Sequence, residues 1–154
     1  MCEKGKMSSR ERVLSAIRHE EPDQIPLDLG ATPSSGISAI AYYNLKTHLG
    51  ITTGHTRVYD VVQQLAQPED EIITRFGVDV LDVGRMFNTR DEDWYDVTLP
   101  TGQPVQFPDW FRPERNSGGG WAAYAPDRTL IAPIPTKICT FFHHNSFPPP
   151  HASP

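Results

Sequence analysis

Two short apolar runs, IPLDL at residues 25–29 and VDVLDV at residues 78–83, constrain the fold of this chain more than any other feature. Each is too short for a typical helix, the second is rich in β-branched residues, and Gly30 and Gly77 bound them, so both read as buried strands. The segment between them carries helical periodicity. Strands joined through helices pair in parallel by crossover connections, and the expected order is helix, strand, helix, helix, helix, strand. The chain is therefore predicted to be α/β with a parallel sheet.

The helices are legible from their ends. Ser8 and Glu11 have the spacing of a capping box, and Val13, Leu14 and Ile17 follow on one face, which predicts a helix over residues 9–20. Pro22 and Pro26 break that pattern. The segment ATPSSG then opens a second helix in which Ile37, Ile40, Ala41, Leu45 and Leu49 keep the 3.6-residue period, with Gly50 as a left-handed cap. Val58, Val61, Val62 and Leu65 give a third helical pattern over residues 57–65, although Val58-Tyr59 alone also suits an extended segment. Pro68 suits the first position of a fourth helix; Glu69, Asp70 and Glu71 favour its positive dipole end, Ile72, Ile73 and Phe76 form its apolar face, and Gly77 ends it. After Arg85 the pattern changes. WYDVTL and PVQF flank a Pro/Gly turn, and WAAYA and TLIA flank PDR, so two β-hairpins are expected, linked by the flexible polar stretch RPERNSGGG.

Composition removes several functions. A formal charge of -5 and a pI near 5.6 leave no electrostatic footprint for nucleic acid. Cys2 and Cys139 are the two cysteines, and the N-terminal residues MCEKGKMSSRER contain no apolar export segment, so a reducing, cytoplasmic setting is expected. No apolar run is long enough for a membrane span. Residues 133–154 hold six prolines, three histidines, one lysine and none of the 19 acids, so they read as a disordered or non-native tail.

The stretches SSRERVLSAIRHEEPDQIPLDLG, AYYNLKTHLGI, VYDVVQQLAQPEDEIITRFGVDVLDVG and DWYDVTLPTGQPV, in that order, resemble the start of the uroporphyrinogen decarboxylase superfamily, which also contains corrinoid-linked methyltransferases. The resemblance covers roughly residues 8–132 and implies the N-terminal portion of a (β/α)8 TIM barrel with an inserted β-hairpin region. At 154 residues the barrel is incomplete, since a closed one needs roughly 250. The decarboxylase branch carries an arginine-rich loop after its first strand, to grip substrate carboxylates, and a catalytic aspartate in a Ser-Asp pair past its second. Here the loop of residues 30–36 has no arginine and the pair falls near Arg85-Met86, so the resemblance favours a methyltransferase parent over a decarboxylase of tetrapyrrole biosynthesis. It implies zinc and a corrinoid for a full-length methyltransferase, with a His and Cys metal set on later strands, and no cofactor in this portion. The portion itself is expected to be inactive, and its exposed strand edges imply self-association.

Candidate site residues follow from strand geometry. Asp79 and Asp82 lie three apart and would face opposite sides of a strand, which excludes a paired acid and base; Asp79 reads as a polar residue entering the strand. Asp82 and Arg85, at the C-terminal end of the second strand, are candidates for binding a small-molecule substrate, because barrel enzymes place their chemistry there. Asp28, near the end of the first strand, is the third, beside the Gly30 to Gly36 loop whose amides are placed to receive an anion. The glycines of that loop do not form a dinucleotide fingerprint. Of the adjacent Tyr42 and Tyr43 at most one can face a cavity. Cys139, His143 and His144 are too few and too close to complete a zinc site. A small binding module, with the hairpins and Trp94, Trp110 and Trp121 as its surface, is the non-enzymatic alternative.

Overall fold

A computed structural model describes residues 6–83, 90–124 and 127–134. Arg85 and the Cys139, His143 and His144 group lie outside the described residues. The elements in chain order are α1 (Ser9–Ile17), β1 (Ile37–Ser38), α2 (Ala39–His48), β2 (Val58–Asp60), β3 (Leu65–Ala66), α3 (Asp70–Phe76), β4 (Trp94–Thr98), β5 (Pro104–Pro108), β6 (Glu114–Arg115), β7 (Trp121–Tyr124) and β8 (Leu130–Ile134). Their strands form three small antiparallel sheets, ordered β1-β3-β2, β4-β5 and β6-β7-β8, and no closed barrel is present among the described residues.

The Ser8 capping box and the stops at Gly50 and Gly77 are formed as predicted, whereas α3 starts at Asp70 with Glu69 as its N-cap, so Pro68 lies before the helix and not at its first position. Ser8 caps α1 through the capping box, its hydroxyl accepting from the Glu11 N–H at 3.3 Å while the Glu11 carboxylate accepts from the Ser8 N–H at 2.9 Å. Gly50 and Gly77 adopt φ of +71° and +62°, and each closes its helix with a pair of backward bonds: Ile51 N–H to Lys46 O and Gly50 N–H to Thr47 O, then Val78 N–H to Ile73 O and Gly77 N–H to Thr74 O. α1 ends the same way, three residues before the predicted Glu20, because His19 takes the left-handed position at φ +59°.

Two helical expectations are corrected. Residues 57–65 form β2, a turn and β3 instead of a helix. The Asp60 carboxylate accepts from the Val62 and Gln63 N–H groups at 3.0 and 2.9 Å, turning the chain so that Val58 pairs with Ala66 and Asp60 with Leu65. In α1 the predicted apolar face is not the buried one: Ile17 is 68% exposed, while Arg12 is 4% exposed.

The two runs expected as parallel strands do lie side by side in parallel, but they touch at a single bridge, Asp28 with Val80, where the Asp79 N–H donates to the Leu27 carbonyl at 2.7 Å. Neither is an extended strand. Both predicted hairpins are formed, β4 pairing with β5 from Trp94↔Pro108 to Thr98↔Pro104 and β7 with β8. β8 runs through Ile134, past the expected start of the tail. One hydrophobic core joins Ala39 and Tyr42 of α2, Val58, Ala66 and Ile72 to Val105, Phe107 and Trp121 of the hairpins. The β4-β5 hairpin is fastened to the rest by the Gln106 N–H, which donates to the Thr56 carbonyl at 2.8 Å.

Candidate functional site

Three polar regions organise the molecule. The first is the junction of the parallel runs, where the sequence places Asp28 and Asp82. The Asp28 carboxylate accepts from the Ala31 N–H at 3.0 Å and so turns back on its own loop. The following amides are also engaged within the chain, Gly30 with the Ser35 carbonyl, Thr32 with the Ser35 hydroxyl and Gly36 with the Pro33 carbonyl. α2 does not start from this loop but two residues beyond it, with Ser38 as its cap. Asp82 is exposed, two residues past the Val80 bridge. The bridge therefore brings the segments of Asp28 and Asp82 together.

The second is a buried ion cluster. Arg12 of α1 donates to Asp23 in a forked pair, Nε to Oδ1 at 2.7 Å and Nη2 to Oδ2 at 3.0 Å, and Nη1 donates to Asp79. The Arg12 and Asp79 side chains are 5% and 1% exposed. The Arg12 fork holds the Asp23 carboxyl far below the usual carboxylate range against the cost of burial. Burial works against ionisation of Asp79, but the Leu27 N–H, the Ser9 hydroxyl and the Arg12 guanidinium outweigh it, so that carboxyl also stays below its ordinary value. Asp79 thus ties α1 and the 25–29 run to the run after α3, and Arg12 adds the loop at Asp23. A polar residue entering a strand is only part of the role of Asp79, and the sequence carries no local signal for its partnership with Arg12, 67 residues away.

The third is an open cleft of about 560 Å³ between the end of α2, residues 50–56 and the β4-β5 hairpin, a volume in the range of small-molecule sites. Tyr43, Lys46, His55, Asp96 and Gln106 are among its lining residues. Tyr42, the neighbour of Tyr43, is fully buried, as the divergence of adjacent helical side chains requires. Behind the cleft, Glu69 gathers three donors: the Lys46 ammonium, the Tyr42 hydroxyl at 3.1 Å and the His55 N–H at 2.7 Å. The Tyr42 oxygen accepts in turn from the Glu69 N–H at 2.9 Å. Burial pushes the Tyr42 phenol well above its ordinary pKa, which keeps its proton on the hydrogen bond to Glu69. Neither Asp28 nor Asp82 lines this cleft.

Two tryptophans expected at a binding surface are in the interior. Trp94 and Trp121 are 7% and 6% exposed, whereas Trp110 is 60% exposed. Among the described residues no group of three or more His, Cys, Asp or Glu side chains is arranged to hold a metal, and no helix is long and apolar enough to cross a membrane. No family model matches the chain, and neither a curated protein nor a solved structure matches it.

Proposed function

We propose that this chain is the opening part of a cytoplasmic (β/α)8 barrel enzyme of the uroporphyrinogen decarboxylase superfamily, that the parent enzyme is a corrinoid-linked methyltransferase, and that the portion here is inactive alone. One observation carries the reading: the runs at residues 25–29 and 78–83 meet in parallel at Asp28 and Val80, yet four of their apolar side chains are uncovered while Val78 and Leu29 are packed. Ile25 is 88% exposed, Val83 90%, Leu81 56% and Leu27 40%. Parallel sheets are ordinarily buried on both faces, so such a pair calls for further strands and helices to cover it. Asp28, Asp82 and Arg85 would then sit where a barrel carries its substrate loops. The absence of arginine from residues 30–36 favours a methyl donor over a substrate with many carboxylates. Among the described residues no group of three or more His, Cys, Asp or Glu side chains is arranged to hold a metal, and no chemical step is assigned to them.

The test is genetic. The DNA beyond the codon for Ala132, translated in every frame, should encode alternating strands and helices carrying a His and Cys metal set. A continuation with none of these in any frame overturns the reading. The shared core between α2 and the hairpins favours a second reading, a self-contained binding module using the cleft. That reading requires the purified chain to be monomeric with one sharp thermal transition.

A further inference from the structure

The outer wall of the cleft is held differently from the rest of it. On one flank Ile51 packs against the core and its N–H donates to the Lys46 carbonyl at 2.9 Å. On the other, Thr56 is buried and its carbonyl accepts from Gln106. Between these anchors Thr52, Thr53, Gly54 and His55 are all exposed and line the cleft. Their bonds to the body run to the start of α3: the His55 N–H donates to Glu69 Oε1 at 2.7 Å, and the Thr53 hydroxyl to Glu71 Oε2 at 3.3 Å. Glu69 is itself fixed from behind by Lys46 and Tyr42. The turn follows Gly50 and contains Gly54, both in the left-handed region at φ +71° and +69°. Contact at Gly54 is close, since a Cβ there would lie 1.8 Å from Glu69 Oε1.

We propose that Thr52 to His55 form a strap along the cleft and that Glu69 is the positioning residue that latches it. Segments with few buried contacts open locally at low cost, and here Ile51 is packed on the core and Thr56 is buried while the strap between them is exposed. Glu69 holds the strap only because Lys46 and Tyr42 hold Glu69. The latch therefore couples one wall of the cleft to the face of α2, without any change in the hairpin that forms the opposite wall.

Amide hydrogen exchange on the full chain tests this. Glu69→Ala should raise exchange over residues 50–57 by about tenfold or more while residues 94–108 keep their protection. Gly54→Ala, which leaves Glu69, Lys46 and Tyr42 in place and sets a methyl against the carboxylate, should give the same local rise. Gly50→Ala is the control, because it carries a like backbone strain with nothing within 4 Å of the added carbon. A local rise for Gly54→Ala that exceeds that of Gly50→Ala supports the latch. An equal response of the two glycine variants, or a rise spread evenly over the chain, overturns it, and this comparison decides the matter even if Glu69→Ala unfolds by leaving Lys46 buried and unpaired.

Discussion

Replacing Phe107 by alanine tests whether the helices and hairpins are one cooperative body. Phe107 is 1% exposed, and its ring meets Tyr95, Phe111 and Trp121 edge to face at centroid separations of 6.4, 5.4 and 5.7 Å. Truncating a buried phenylalanine costs about 3 to 5 kcal/mol, and three ring contacts at once place this one toward the upper end. Since small domains are stable by roughly 5 to 15 kcal/mol, Phe107→Ala should leave a marginal fold, with Tm lower by about 10 °C or more. Phe107→Leu keeps most of the burial and loses the ring geometry, so it should cost about 1 to 2 kcal/mol.

The assay is urea unfolding followed by tryptophan fluorescence, together with amide exchange in α2. Because Ala39 and Tyr42 share the core with Phe107, protection in α2 should fall along with that of β4 and β5. A loss under about 1.5 kcal/mol for Phe107→Ala, or a hairpin that melts while α2 keeps its protection, would falsify the single-core description.

The Arg12 cluster makes stability depend on acid. Asp23 and Asp79 have folded pKa values below their unfolded ones, so their contribution is present above an ordinary carboxylate pKa of about 4 and is lost as pH falls through and below it. Arg12→Met should lower Tm at pH 7 and flatten the fall between about pH 5 and 2, which a pH series of thermal melts reads directly. Helix ends give a matched pair. Gly77→Ala, at φ +62° with open space around it, should cost about 1 kcal/mol, and His19→Gly, at φ +59°, should gain roughly 0.5 to 1 kcal/mol, both by chemical denaturation. Ile25→Lys with Val83→Lys should shift sedimentation toward monomer while leaving the far-UV spectrum unchanged, and persistent association would exclude this face as its cause.

What could be read in the sequence was local. The Ser8 capping box, the glycine stops at Gly50 and Gly77 and both hairpins depend on residues close together in the chain, so their chemistry is visible in one window. Residues 57–65 defeated periodicity because Val58, Val61, Val62 and Leu65 satisfy a helical spacing and β preference alike. Asp60 decides between them, and its carboxylate two and three residues before the amides it caps was the available signal. Arg12 gave no comparable signal. Its partners are 11 and 67 residues away, and an arginine on an amphipathic helix ordinarily points to water.

The acidic residues show why pattern and position part company in this chain. Asp28, Asp79 and Asp82 look alike in sequence, each set among aliphatic neighbours in a short apolar run, Asp79 near its start and the other two near its end. In the fold they diverge by what their surroundings supply: Asp79 meets a buried guanidinium, Asp28 meets an amide of its own loop, and Asp82 remains exposed. A buried carboxylate must find its donors within the protein, so Asp79 is committed to holding α1 against the run after α3. The latitude for binding lies with groups that the fold leaves at the surface. Asp82 lies two residues past the parallel bridge, at the surface beside the exposed Leu81 and Val83.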